Sequence, residues 1–509
     1  MGRADRRHGG AARSAALVVV LSMACAGIAQ DLAEFESRVT QFTLDNGLRF
    51  IVLQRHEAPV VTCYTHANVG AVDEVTGITG LAHIFEHMAF KGTRTIGTKD
   101  YEAEAIALAK IDAAFEAIKA EKAKLGAVDE QRLAQLRREF QEAQQEAQQY
   151  LVHDEFDEIL KQAGGVGLNA GTSSDYTVYF VSLPSNKLEL WMLLESDRFL
   201  NPVLREFYKE KNVVMEERRL RTETQPVGKL LEEFLAVAYK AHPYGEPVIG
   251  HMSDVEAITR AEAEAFFRTH YGPSNLTMAV VGDVDPARVQ TLAQEYFGRI
   301  PYRPAAEPVE TVEPPQPGER RVVVEDPAQP FVLIGYHKPS INHEDNAVFD
   351  AITDIMGSGR TSRLYRRLVR DQKIAMATSG FQGMPGQKYP GLFLFYAMPA
   401  RGHTNQECEQ AIYAEIERLR SEPVTEQELE KAKTRARAAL IRQLDSNSGL
   451  AELLTFYEVL TGDWRNLFKQ LEQIDRVTAE DVQRVARTYF TTKNRTVGII
   501  ETTISESES

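Results

Sequence analysis

Cysteine is scarce in this chain: three in 509 residues, one of them, Cys25, within the first thirty. The other two, Cys63 and Cys408, cannot build a cysteine zinc site, and a chain of this length needs no disulfide framework to stabilise its core. Any metal must therefore be held by histidine and carboxylate. Positive charge is short as well. The 58 basic side chains stand against 73 acidic ones, a net charge of −15 that repels phosphate backbones and excludes nucleic acid as a partner. Beyond the N-terminus there is no run of about 18 uninterrupted apolar residues, so no stable membrane span is expected.

What the N-terminus does contain is different in kind. Arg3, Arg6, Arg7 and Arg13 precede the apolar run AALVVVLSMACAGIA, which ends in small residues. This reads as a cleaved export signal over residues 1–29, about half the length of a membrane-spanning helix. A periplasmic or secreted chain is the expectation. Lipoprotein anchoring through Cys25 is the weaker alternative, because Leu21 in LSMAC lies one place too far upstream.

At this length two to four domains are expected. Residues 303–318, RPAAEPVETVEPPQPG, hold five prolines and no helical or strand period, which marks a stiff, extended linker. We place an N-terminal domain at 30–302, the linker at 303–319 and a C-terminal domain at 320–509. The flanks of the linker resemble each other. Residues 255–281 align without a gap on 474–500 at a constant offset of 219, and Thr259, Arg268, Thr269, Asn275 and Thr277 recur as Thr478, Arg487, Thr488, Asn494 and Thr496. Two chance amphipathic helices would not keep the following strand in register, so the chain is read as two copies of one α+β unit, each an antiparallel sheet packed with helices. In the first copy Asp45-Asn46-Gly47 marks a turn between β-rich runs. An apolar stripe of Ile111, Phe115 and Ile118, a second of Leu133, Leu136 and Phe140, and a break at Gly126–Asp129 predict an inserted helical hairpin, about 104–163.

The stretch AHIFEHMAF sets two histidines four apart with a glutamate against the second. On a helix His83 and His87 project about 40° apart, and Glu86 lies about 60° to the other side of His83. Two imidazoles could then hold one ion while a carboxylate takes a proton from water. An amphipathic helix with two unremarkable histidines is the rival reading. Catalytic zinc needs a third protein ligand. The carboxylate-rich helix REFYKEKNVVMEERRLRTE offers Glu210 and Glu217, two turns apart on one face, with Glu216 rotated by about 100°; spacing leaves Glu216 and Glu217 as competitors.

Taken in order, GLAHIFEHMAFKGT, GLNAGTSSDYTVYF and EKNVVMEERRLRTETQP resemble the pitrilysin/insulinase family of inverted-motif (HxxEH) zinc metallopeptidases. The resemblance implies one zinc per chain held by His83, His87 and Glu217, Glu86 as general base, and Glu210 orienting the ligands. It also implies that the segment from Asn169 to Phe180 is an edge strand, with Asn169 and Ala170 contacting substrate backbone by β-augmentation. Extended or unfolded peptides are the implied substrates. In the family's second half an arginine and a tyrosine seven residues apart help to stabilise the oxyanion. Aligned on GSGRTSRLYRRLVRDQKIAMA, those places fall on Val369 and Met376, and a one-residue shift offers Arg370 but Ala377. The expectation is a zinc-bearing subunit whose related, zinc-free partner supplies the pair; a homodimer is the simpler alternative. A non-catalytic scaffolding subunit is the rival from another class, and the presence of all of His83, Glu86, His87 and Glu217 argues against it.

Overall fold

The computed structural model describes residues 34–503, so the predicted export signal and Cys25 lie outside the described residues. Two sheets organise the chain. The first contains β1 (Val39–Thr43), β2 (Arg49–Gln54), β3 (Val60–Ala67), β4 (Val166–Thr172), β5 (Thr177–Pro184) and β6 (Leu276–Gly282), in the order β1-β2-β6-β3-β5-β4. The second contains β7 (Arg320–Asp326), β8 (Phe331–His337), β9 (Ala375–Met384), β10 (Leu392–Pro399) and β11 (Arg495–Thr502), in the order β7-β11-β8-β10-β9. Without β1 the two orders are the same. The helices that bear on function are α1 (Leu81–Met88), α2 (Tyr101–Lys122), α3 (Glu130–Gln148), α4 (Phe207–Arg218), α5 (Pro226–Ala238) and α6 (Arg260–His270) in the first half. In the second they are α7 (Asn346–Met356), α8 (Glu426–Leu444), α9 (Asn447–Thr461) and α10 (Ala479–Tyr489).

The architecture is two α/β units, and the repeat inferred from the offset of 219 is repeated in hydrogen bonds. Thr259 and Thr478 cap α6 and α10 through the same reciprocal box, with Glu262 and Asp481 as partners. Asn275 donates to the carbonyls of His270 and Asn68; Asn494 donates to those of Tyr489 and His337. Each asparagine thus ties the end of its helix to the end of a neighbouring strand, β3 or β8. One detail differs from an all-antiparallel expectation. β2 pairs with β6, and β7 with β11, in parallel, because the strand that closes each unit arrives from a helix on a long crossover and not from a hairpin.

The predicted helical hairpin is α2 and α3. Asp129 caps α3 by accepting from Gln131 and Arg132 N, and Ile118, Leu133 and Leu136 are buried between the two helices. Residues 301–316 form no helix or strand. They are nonetheless tacked down, since the Glu313 carboxylate accepts from the backbone N–H groups of Lys240, Ala241 and His242.

Each unit lends a helix to the other. α5 packs against β7 and β11 of the second sheet, where Leu230, Phe234, Leu235 and Ala238 are buried with Phe331, Leu333, Leu394 and Ile500. α9, its counterpart, packs against β3 and β6 of the first sheet, with Leu450, Ala451 and Leu454 buried among Ile51, Tyr64, Ala279 and Val281. Gly335 and Gly498 make room for α5: a Cβ on Gly335 would meet Phe234 Cζ at 2.7 Å, and one on Gly498 would meet Leu230 Cδ1 at 3.0 Å. Phe234→Ala should therefore cost about 3–5 kcal/mol and Gly335→Val about 1–3 kcal/mol in urea denaturation, and both should destabilise the two halves together; loss confined to one half would contradict the exchange.

Candidate metal centre

The helix carrying the histidines begins without a side-chain cap of its own. Gly80, its N-cap, has φ +90°, and a Cβ there would stand 2.7 Å from Ile249 O, so both conformation and space call for glycine. The missing cap is supplied from six residues upstream. The buried Glu74 carboxylate accepts from Gly80 N at 2.7 Å and Ala82 N at 2.6 Å. Burial pushes the Glu74 pKa well above the usual carboxylate range, opposed by those two N–H groups. Asp254 holds the approach by accepting from Thr79 Oγ1 at 2.8 Å and Gly77 N at 3.0 Å. α1 then buries Leu81, Ile84, Phe85 and Met88 in the first core, which leaves His83, Glu86 and His87 to line a cleft.

α4 brings the carboxylates. His83 Nε2 lies 3.7 Å from Glu217 Oε1, and His87 Nε2 lies 3.4 Å from Glu217 Oε2. One ligand atom from each of the three falls within 4.8 Å of the others, and among the described residues this is the His, Cys, Asp and Glu group with that geometry. Two imidazole nitrogens and a carboxylate oxygen are a donor set that fits a divalent ion such as zinc. Glu210, two turns back, stands 3.5 Å from His87 Nδ1 and accepts from Lys91 Nζ at 2.6 Å. It thus turns His87 Nε2 towards Glu217. Glu216 points away, 65% exposed and paired with Arg219, so of the two neighbouring glutamates it is Glu217 that faces the histidines.

The electrostatics follow from these contacts. Burial lowers the His83 pKa, partly offset by Glu217. Burial acts on His87 in the same direction, but the Glu210 hydrogen bond and the charges of Glu217, Glu210 and Glu86 outweigh it and raise that pKa. Burial raises the Glu210 pKa, and the hydrogen bonds from His87 and Lys91 more than reverse it, so the net shift is down and the carboxylate is ionised at neutral pH.

The cleft, about 750 Å³, runs along β4. Asn169 and Ala170 both line it, and β4 is an edge strand. The expected edge segment, Asn169 to Phe180, is only partly edge: Val166–Thr172 is exposed to pairing, whereas Thr177–Pro184 turns back inside the sheet between β4 and β3. Val369 and Met376 do not line the cleft; Val369 packs on the second core, Met376 is 52% exposed and Arg370 pairs with Asp371. Sequence reading missed Glu74, Lys91 and Arg221. Arg221 lines the cleft with its Nη1 2.7 Å from Glu217 Oε1. Its place four residues after Glu217 was a legible signal; nothing in GAVDEVTGITG marks Glu74 as a cap.

The second unit carries a related groove of about 650 Å³ without the ligands. Asp350, Thr353 and Asp354 on α7 repeat the i, i+3, i+4 spacing of His83, Glu86 and His87, and Arg435 on α8 reaches Asp354 Oδ1 at 2.9 Å. A guanidinium here cross-links the two helices that correspond to α1 and α4.

Comparison with known proteins agrees with this asymmetry. The profile described as Insulinase (Peptidase family M16) matches residues 49–121 and 150–251, so it takes in nearly all of α2 and is interrupted over α3, narrower than the insertion expected at about 104–163, and the profile described as Peptidase M16 inactive domain matches residues 257–436. The chain is 30% identical over 455 residues to the zinc protease PqqE of Helicobacter pylori, covering 88% of this chain and 89% of that protein. The crystal structure of a protease from Helicobacter pylori superposes with a TM-score of 0.76 at 28% identity, covering 91% of this chain and 99% of that one. The first half of the periplasmic protease PqqL from Escherichia coli has the same fold, with a TM-score of 0.67 at 18% identity and 92% of each chain covered. The chain belongs to the M16 (insulinase, or pitrilysin) peptidase family, with the insulinase profile on its first unit and the inactive-domain profile running from the end of that unit through most of the second.

Proposed function

We propose that this chain is a zinc-dependent endopeptidase that hydrolyses extended or unfolded peptides in an exported compartment. The observation that carries the reading is the convergence of His83, His87 and Glu217 within 4.8 Å in a cleft shared with Glu86 and bordered by the free edge of β4. The relatives named zinc proteases support the metal. The periplasmic description of PqqL, the N-terminal basic and apolar pattern, and the fact that no helix among the described residues is long and apolar enough to cross a membrane support the compartment.

Zinc bound by His83, His87 and Glu217 would supply Lewis acidity towards a peptide carbonyl and a water. The chain's own residues do the rest. Main-chain groups at Asn169 and Ala170 hold the substrate as an added strand beside β4, which reads backbone more than side chains and suits unfolded peptides. Glu86 takes the proton of the attacking water on a carboxylate oxygen and returns it to the departing amine nitrogen. Glu210 and Lys91 keep His87 oriented.

The oxyanion side rests on a partner. Because Val369 and Met376 occupy the places of the family's Arg/Tyr pair, we propose that a related, zinc-free chain donates that pair, with a homodimer as the alternative outcome. Purified chain alone should then cleave a fluorogenic peptide library more slowly than a mixture with that chain; equal rates would remove the partner from the proposal.

Glu86→Gln should retain zinc by metal analysis while hydrolysis falls roughly 10²–10⁴-fold. Equal activity in variant and wild type would displace Glu86 as the base. Glu217→Gln should lose zinc to a chelator far more readily than wild type, Glu210→Gln by about 10–100-fold in affinity, and Glu216→Gln hardly at all; reversal of the two neighbouring glutamates would reassign the ligand.

A further inference from the structure

The cleft has an apolar side that neither half of the chain builds alone. Leu231 and Leu235 of α5 come from the first half, together with Val248 and Ile249; Met384 and Pro385, at the end of β9, come from the second. Leu231 and Met384 pack against the same apolar cluster that buries Leu235. Of the charges near this side, Glu232 accepts from Arg218 at 2.7 and 3.0 Å and Glu246 faces His251 Nε2 at 2.7 Å, while Arg221 pairs with Glu217 beside the histidines. A charged substrate side chain packed on Leu231, Leu235, Val248, Ile249, Met384 and Pro385 would lose water to side chains that offer it no counterion.

The loop from Met384 to Tyr389 is clamped from the first half. Asp175, 2% exposed, accepts from Gln387 N at 2.6 Å, Lys388 N at 3.0 Å and the Tyr244 hydroxyl, whose oxygen in turn accepts from Tyr389 N at 3.2 Å. A Cβ on Gly386 would stand 2.5 Å from both Asp175 Oδ2 and the Tyr244 oxygen, so the loop approaches as closely as a chain without a side chain allows. Lys388 Nζ adds a bond to Asn68 Oδ1 at 2.8 Å. Asp175 lies in the turn between β4 and β5. That same turn offers the Ser173 and Ser174 carbonyls to Ala71 N at 3.2 Å and Val72 N at 2.9 Å, just before Glu74 and the cap of α1. The substrate edge, the leader of the histidine helix and the loop bearing Met384 are therefore one hydrogen-bonded body.

We propose that Met384, delivered in cis by the inactive-type domain and positioned by Asp175, completes a subsite beside the metal centre that selects peptides carrying a bulky apolar side chain next to the bond that is cut. The inference rests on the peptidase reading. It is tested by binding, which does not need turnover. Zinc-loaded Glu86→Gln chain is titrated into fluorescein-labelled decapeptides of Ala, Gly and Ser that carry Leu, Phe, Lys or Asp at one scanned position. Anisotropy should show Leu or Phe bound roughly 10-fold more tightly than Asp at one position. Adding Met384→Asp should erase that preference and Met384→Leu should keep it; Met384→Gln, close to methionine in size, gives the same answer as the charged variant should that one fail to fold. Asp175→Asn should reduce the Leu/Asp ratio with zinc content unchanged. Equal binding of all peptides, no binding of any, or a preference untouched by Met384→Asp and Met384→Gln would overturn the subsite. Selective binding by a chain that hydrolyses nothing when Glu86 is intact, with or without the partner chain, would overturn the peptidase reading and leave the subsite standing; hydrolysis without selectivity would do the reverse.

Discussion

A β-sheet has two faces to cover, and in this chain each unit's second face is covered by a helix of the other unit. Phe234 and Leu230 of α5 fill the space left by Gly335 and Gly498, while Leu450 and Leu454 of α9 lie on β3 and β6. Burial of these side chains is the dominant attraction between the halves, and it is reciprocal. The units are joined by exchanged cores and a peptide linker together, so the residues between Arg205 and Tyr244 serve two sheets at once. α4 carries the carboxylates that face His83 and His87 in the first unit, and α5, a few residues later, is part of the core of the second.

This arrangement explains how a domain without metal ligands still bears on the site. The two units present the same helix-facing-helix geometry, but the first places two imidazoles opposite a carboxylate, and the second places carboxylates opposite Arg435. In one case the arrangement could take an external cation; in the other a cation is built in as a side chain. The second unit meanwhile contributes Met384 and Pro385 to the lining of the first unit's cleft. Asp175 is where the two roles meet, because a single buried carboxylate accepts hydrogen bonds from both units.

Much of the chemistry was legible in one dimension because it is periodic. The i, i+3, i+4 spacing of His83, Glu86 and His87 fixes a common helical face whatever surrounds it. The seven-residue spacing of Glu210 and Glu217 does the same, and the offset of 219 between Thr259 and Thr478 predicts matched caps that do form. Where reading along the chain stopped short, the missing information was not periodic. Glu74 caps α1 across a loop, Lys91 reaches Glu210 from a segment more than a hundred residues away, and the strand expected from Asn169 to Phe180 divides at a turn into an edge and an interior strand.

The sequence by itself determined which histidines and glutamates share a helical face, the duplication and the helical hairpin, because local spacing and hydrophobic period govern all of these. Only the tertiary structure decided which of the neighbouring Glu216 and Glu217 meets the histidines, which strand is left unpaired beside them, and that Met384 of the second half stands in the cleft of the first. Those outcomes depend on contacts between residues far apart in sequence. Their energies come from burial and hydrogen bonding that exist only once both sheets have exchanged their helices.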